Sequence, residues 1–348
     1  MNNFKKILLG VVLVGLVVMA VFAYRVYSTF FTPNTNFTTD TYEVLIPTGA
    51  DYNQAFLIIA DAVADRDEFH QTAVRKGYVK NVKSGRFLLK PGMSNNDIIN
   101  TVRSKNIPLN IRFNNQERLE NLAGRIALQI EADSASLIQA MRDSTFLKQN
   151  GFTQQNALTM YLPNQYEFYW NSSATTYRDR MLNAYKNFWN EARLAKAQKI
   201  GLSPQEITVL ASIVHKETAK ADERPKVAGV YMNRLKDGMK LDADPTVIYS
   251  KKLLEGDFDQ VIKRVLYKDL ELDSKYNTYK YSGLPPGPIV TADLNAIDAV
   301  LNFEKHDYYY FVADVQNFGY HKFAKNLAQH NANAAEYRKW IQQQNINR

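Results

Sequence analysis

Glu217 stands where a carboxylate has chemical consequences. It follows a capping box, Ser203-Pro204-Gln205-Glu206, whose proline suits the first helical position. Apolar residues then come at Ile207, Leu210, Val214 and Ala221, in steps of 3, 4 and 7. Glu217 fills the gap in the last step, three residues after Val214 and four before Ala221. A helical period therefore sets it on the stripe of Leu210 and Val214. Burial disfavours the charged form of a carboxylate, and the negative end of a helix dipole adds to that, so the spacing predicts a raised pKa. A carboxyl group kept protonated near neutrality can serve as the general acid of glycosidic cleavage. The same periodicity also fits a helix terminus at which the stripe ends and Glu217 reaches water.

The residues downstream could complete a site. Pro225 opens a second helix with apolar positions Val227, Val230, Tyr231 and Leu235, and Gly238 stops it. A short polar turn between the two helices brings Asn233 and Arg234 within reach of the Glu217 end. Asp244-Pro245-Thr246 starts another short helix by the same cap-plus-proline logic, and Tyr249 lies within it. Then come Tyr276-Asn277-Thr278-Tyr279 and Gly283-Leu284-Pro285-Pro286-Gly287-Pro288. The prolines make a stiff loop suited to walling a groove, while Tyr and Asn side chains supply the flat faces and hydrogen bonds that grip sugars. Taken singly, each piece also reads as ordinary core or turn. His215, His306, His321 and His330 raise the alternative of a metal-dependent hydrolase, but they lack HExxH spacing. No metal and no cofactor is expected.

These elements belong to an α+β chain of 348 residues, long enough for a membrane segment and about two domains. Cysteine is absent, which excludes disulfides, a thiol nucleophile and Cys-based metal sites. Ile7 to Tyr24 is an uncharged, Val/Leu-rich run preceded by Lys5 and Lys6. Its length suits a membrane-spanning helix, and the lysines favour a cytoplasmic N-terminus with the remainder outside. A cleaved signal peptide competes, with Val21-Phe22-Ala23 as the cleavage site, but the run exceeds the usual h-region of about 7–15 residues. The net charge of +8 suits an anionic polymer or membrane surface, and with export and no dense Lys/Arg run, nucleic acid is not an expected partner.

Residues 1–6 read as a cytoplasmic N-terminus, 7–24 as the anchor and 25–40 as a polar tether. Residues 41–107 form a small α/β module: a strand at Tyr42–Pro47, a helix near 52–64, a strand at Arg86–Leu89, and a helix from the capping box Ser94–Asp97. Residues 108–348 form a larger α+β domain. Within it, helices are expected at 117–130, 134–149 and 177–198, a buried strand at Tyr308–Ala313, and a terminal helix at 331–344.

The combination Ala211-Ser212-Ile213-Val214-His215-Lys216-Glu217-Thr218, Asn233-Arg234-Leu235, Asp244–Tyr249, Tyr276–Tyr279 and Gly283–Gly287 closely resembles the YceG-like family, the endolytic murein transglycosylases known as MltG. Gly85-Arg86-Phe87, Lys90-Pro91-Gly92 and Leu162–Tyr166 extend the resemblance over nearly the whole chain. It implies that the small module is LysM-like and binds peptidoglycan. The larger domain then cleaves glycan strands on the extracytoplasmic side, between N-acetylmuramic acid and N-acetylglucosamine, leaving a 1,6-anhydro end. Glu217 is then the catalytic acid/base, and Asn233, Arg234, Asp244, Thr246, Tyr249, Asn277 and Tyr279 are candidate substrate-binding residues. Implied partners are glycan strands, the membrane and peptidoglycan synthases. The family commonly has a second glutamate where this chain has His215, and Leu-Pro-Asp-Thr-Tyr where it has Leu162-Pro163-Asn164-Gln165-Tyr166. No second carboxylate is evident on the Glu217 face, and the resemblance implies that the muramoyl 6-hydroxyl itself is the nucleophile, with the gain of an intramolecular attack. The alternative is a non-catalytic, membrane-tethered wall-binding scaffold.

Overall fold

A computed structural model describes residues 3–343; the first two residues of the expected cytoplasmic segment and the last five of the C-terminal domain lie outside the described residues. The chain divides into two compact units. The first holds residues up to Ile111 together with Gln129–Ala132 and Tyr166–Ser173; the second holds the rest.

The first unit begins with a helix over Asn3–Phe31, of which Phe4–Phe31 is long and apolar enough to cross a membrane. Its end continues past the expected anchor, and the following segment is not a free tether. Pro33 and Thr35 form β-bridges to Ser94 and Val63, and Asn34 is buried with its side chain bonded to Asn95 and Asp65. Strands Tyr42–Ile46 and Gly85–Leu89 pair antiparallel, Tyr42 opposite Leu89 and Ile46 opposite Gly85. Alternation along them sends Val44, Ile46, Phe87 and Leu89 into the core. Helices Tyr52–Ala60 and Arg66–Arg75 lie between the strands in sequence, and Asn95–Val102 follows; they contribute Ile59, Phe69, Ile98 and Ile99. The expected capping box is present, the Ser94 side chain accepting from the Asp97 N–H. Arg66–Arg75 went unread in the sequence because its first turn is charged and its apolar content is low.

The second unit is mostly helical. Two stretches expected to be single helices are each broken by an internal cap. Asp143 separates Ser134–Met141 from Ser144–Gln149, its carboxylate accepting from the N–H groups of Thr145 and Phe146. Asn190 separates Ala174–Phe188 from Glu191–Ile200. At the centre, Pro204–Glu217 is buried continuously from Ile207 to Val214. It packs against Arg224–Lys236, Asp244–Glu255 and Leu294–Leu301. A helix enclosed on all sides needs no single stripe. Ala221 accordingly lies beyond the helix in an exposed turn, not on its face.

Tyr310–Ala313 pairs antiparallel with His321–Ala324, and Leu327–Gln343 packs against both. The strand expected to be buried is half-buried, because its side chains face a cleft instead of the core. The Pro-Pro loop is pinned by Ile289 N–H donating to Ser212 Oγ at 3.1 Å. Gly287 in that loop lies so close to the Gln155 carbonyl and the Tyr276 hydroxyl that a Cβ would collide with backbone.

Candidate active site

Glu217 is the last residue of its helix, and Thr218 is its C-cap in extended conformation. The side chain enters a cleft of about 390 Å³ in the second unit. Tyr231 and Arg234 of the next helix line that cleft, with Asp242, Asp244 and Tyr279 from the segments after it. Tyr310–Ala313 and His321 of the hairpin, and His330 of the C-terminal helix, complete the lining.

Glu217 is half-buried, and desolvation of its carboxyl pushes the pKa up to about 7. The Tyr231 hydroxyl donates to Glu217 Oε1 at 2.7 Å, which favours the anion and works against burial. The charge of Asp244 raises the value further, and that of Arg234 lowers it. With Oε1 engaged as an acceptor, a proton on the carboxyl sits on Oε2. Tyr231 is itself buried, and its hydroxyl is held neutral far above its ordinary range.

Arg234 is buried and fixed by four acceptors. Its Nε donates to Tyr309 O at 2.7 Å; Nη1 donates to Leu241 O at 2.7 Å, Lys240 O at 3.3 Å and Asp242 Oδ2 at 3.3 Å. Its guanidinium lies 5.2 Å from the Tyr310 ring centre, and His330 stacks on that same ring at 5.3 Å. Tyr279 donates its hydroxyl to Asp244 Oδ1 at 2.7 Å. Asp242 has φ of +48°, the one non-glycine residue in the left-handed region among those described.

Of the residues singled out in the sequence, Glu217, Arg234, Asp244 and Tyr279 meet in this cleft. His321 and His330, met in the sequence only as candidate metal ligands, line it too, whereas Asn233, Thr246, Tyr249 and Asn277 do not. Asn233 donates to His306 O and Tyr308 O, at 2.8 and 2.9 Å, and so holds the chain leading into the hairpin. Asn277 is fully buried and donates to Leu270 O and Leu272 O. Thr246 bonds Ala243 O and the Thr278 hydroxyl. Tyr249 packs on Tyr276 and Phe258 in separate grooves of the same unit, one of which includes Pro288. His215 sits beside Asp293 and Arg224, away from the cleft lining, and burial lowers its pKa.

Two cleft features were not visible in the sequence. Tyr231 read as an apolar helix position, although a buried tyrosine hydroxyl needs a partner and could have flagged it. The other is a bonded pair between His321 and the buried Glu223, which are far apart in sequence. Asp242 and Asp244 also bring carboxylates to the cleft from outside the Glu217 helix, but each is engaged by a neighbour. Among the described residues, no group of three His, Asp or Glu side chains is placed to hold a metal ion.

The chain is thus a mixed α+β protein with a membrane-length N-terminal helix, and its largely helical unit presents a carboxyl of raised pKa in an aromatic cleft. The YceG-like family model matches residues 44–336, and the chain belongs to that family. It is 31% identical over 317 residues to the endolytic murein transglycosylase of Bacillus subtilis (strain 168), covering 85% of each chain. It is 38% identical over 136 residues to the endolytic murein transglycosylase of Streptococcus pneumoniae (strain D39), a match spanning 39% of this chain and 24% of that one. A crystal structure of a YceG-like protein from Listeria monocytogenes superimposes with a TM-score of 0.56 at 28% identity, covering 85% of this chain and 99% of that one.

Proposed function

We propose that this protein is a membrane-anchored endolytic lytic transglycosylase of peptidoglycan. The observation that carries the reading is the Glu217 carboxyl, lifted to about 7 by burial in a cleft large enough for sugar residues. Kinship with two proteins named endolytic murein transglycosylase supports it. The substrate is the β-1,4 bond between N-acetylmuramic acid and N-acetylglucosamine in nascent strands, and the cut terminates elongation. Glu217 Oε2 protonates the departing O4, and the carboxylate so formed takes the proton of the muramoyl 6-hydroxyl as O6 closes on C1, leaving a 1,6-anhydro end. The resulting carboxylate is received by the Tyr231 hydroxyl in a site already arranged for charge. Arg234, Asp244 and Tyr279 contact the sugar, whereas Asn233, Thr246 and Asn277 shape the backbone around it.

The N-terminal helix makes a single pass through the cytoplasmic membrane, with the chain beyond it outside. Residues 41–107 act as a LysM-like module that binds the same polymer as the catalytic residues 108–348. Peptidoglycan synthases, which make the strands it cuts, are the protein partners this role calls for.

Product analysis by mass spectrometry on isolated sacculi tests the reading. The wild-type protein yields anhydro-muramoyl ends. Glu217→Gln loses that activity by a factor on the order of 10²–10⁴ with an unchanged melting transition. Turnover near wild type in that variant would remove Glu217 from the role. Absence of anhydro ends from the wild type would favour the wall-binding scaffold.

A further inference from the structure

The cleft contains a second group built for proton transfer. His321 opens the second strand of the hairpin, opposite Ala313, and lines the cleft together with Glu217. Its Nδ1 lies 2.8 Å from Glu223 Oε2, and its backbone N–H donates to Glu223 Oε1 at 2.7 Å. Glu223 is 6% exposed and lies at the N-terminus of the Arg224–Lys236 helix. Its hydrogen bonds with His321 and the Thr218 side chain outweigh burial and hold the carboxyl below its ordinary range. Bonded to the Glu223 carboxylate, Nδ1 carries a hydrogen, so Nε2 is the ring nitrogen left to act as a lone-pair acceptor whenever the ring holds a single proton. The ring packs edge-to-face on Phe311 at 5.1 Å, and Phe311 packs edge-to-face on Tyr231 at 5.9 Å. One packed row therefore joins the imidazole to the tyrosine that holds Glu217. No described residue bonds Nε2.

We propose that His321, oriented by Glu223, is a second catalytic residue of the cleft, its Nε2 taking the proton of the muramoyl 6-hydroxyl as that oxygen attacks. This rests on the transglycosylase reading and divides between two groups the proton work otherwise left to Glu217 alone. O6 forms a bond to C1 and gives its hydrogen to Nε2. The C1–O4 bond breaks, its electron pair stays on O4, and Glu217 supplies the proton there. The cleft is left with an imidazolium and a carboxylate, and a proton passing through water from one to the other restores both. No co-reactant is consumed. Glu223 is a positioning residue: it fixes the tautomer and ring orientation without touching the sugar.

The test uses the full chain in detergent on isolated sacculi, scoring the rate of anhydro-end formation together with the melting transition. His321→Asn retains an amide donor toward Glu223 and has no base, so it should melt like wild type and lose kcat by about 10²-fold at unchanged KM. His321→Ala should lose as much and regain part of the rate with added imidazole. Glu223→Gln should lose about tenfold by disordering the ring. Near-wild-type turnover in His321→Asn overturns the assignment. So does a loss in His321→Ala that imidazole leaves unchanged. An inactive Glu217→Gln beside a fully active His321→Asn refutes only the dyad, whereas an active Glu217→Gln refutes the reading beneath it.

Discussion

At the residue scale, the proposed chemistry turns on how one carboxyl is protonated. Glu217 is pulled upward by burial and by Asp244, and downward by Tyr231 and Arg234, and it settles at about 7. A general acid must carry its proton, so activity should fall as pH rises through this value. Tyr231 stabilises the anion, hence Tyr231→Phe removes a downward influence and Glu217 gains its proton more readily. The expected outcome is an alkaline limb of kcat/KM near pH 7 in the wild type, displaced to higher pH in the variant. A limb that stays in place, or moves to lower pH, would mean that Tyr231 does not govern the titrating group. The wild-type profile alone gives an independent check, since an unperturbed glutamate would place that limb near pH 4–5.

At the scale of elements, the helices that carry the site were written in local sequence, and the walls around it were not. Ser203-Pro204, Pro225 and Asp244-Pro245 each announced a helix start that the structure retains, although only Ser203 caps with its side chain and the N-cap of the third helix is Ala243, not Asp244. Asp143 and Asn190 used the same chemistry to break helices in mid-run, where apolar spacing suggested continuity. The hairpin wall was read as core, since an aromatic strand facing a cleft and one facing a core have the same composition. His321 and Glu223 are 98 residues apart, and no local pattern announces such a pair. Asn233 shows the converse: its motif suggested a sugar contact, while its amide serves two backbone carbonyls. Asn233→Ala leaves His306 O and Tyr308 O without that donor, which should cost about 1–3 kcal/mol. A lowered melting temperature with KM preserved at permissive temperature is expected. A raised KM without loss of stability would instead return Asn233 to the substrate.

At the scale of the whole chain, the N-terminal helix does more than its apolar composition requires. Its 29 residues extend roughly 43 Å, beyond the roughly 30 Å of a hydrocarbon core. The uncharged run stops at Tyr24, and the turns from Arg25 to Phe31 are spent on the first unit. There the Thr29 carbonyl accepts from Asn95 Nδ2 at 2.8 Å and from Thr72 Oγ1 at 3.3 Å, and Arg75 lies over the Phe30 ring. Asn95 is fully buried, so removing Thr29 strands its amide, at a cost of about 1–3 kcal/mol. Two truncations separate anchoring from folding. A chain lacking residues 1–24 and one lacking residues 1–31 should both leave the membrane fraction without detergent. The shorter chain should also melt several degrees lower in the transition of its first unit, because a loss of this size moves a small domain by about 4–8 °C per kcal/mol. Equal melting of the two would show that the helix end is a passive leash, and continued membrane binding of either would show that a second surface holds the protein there.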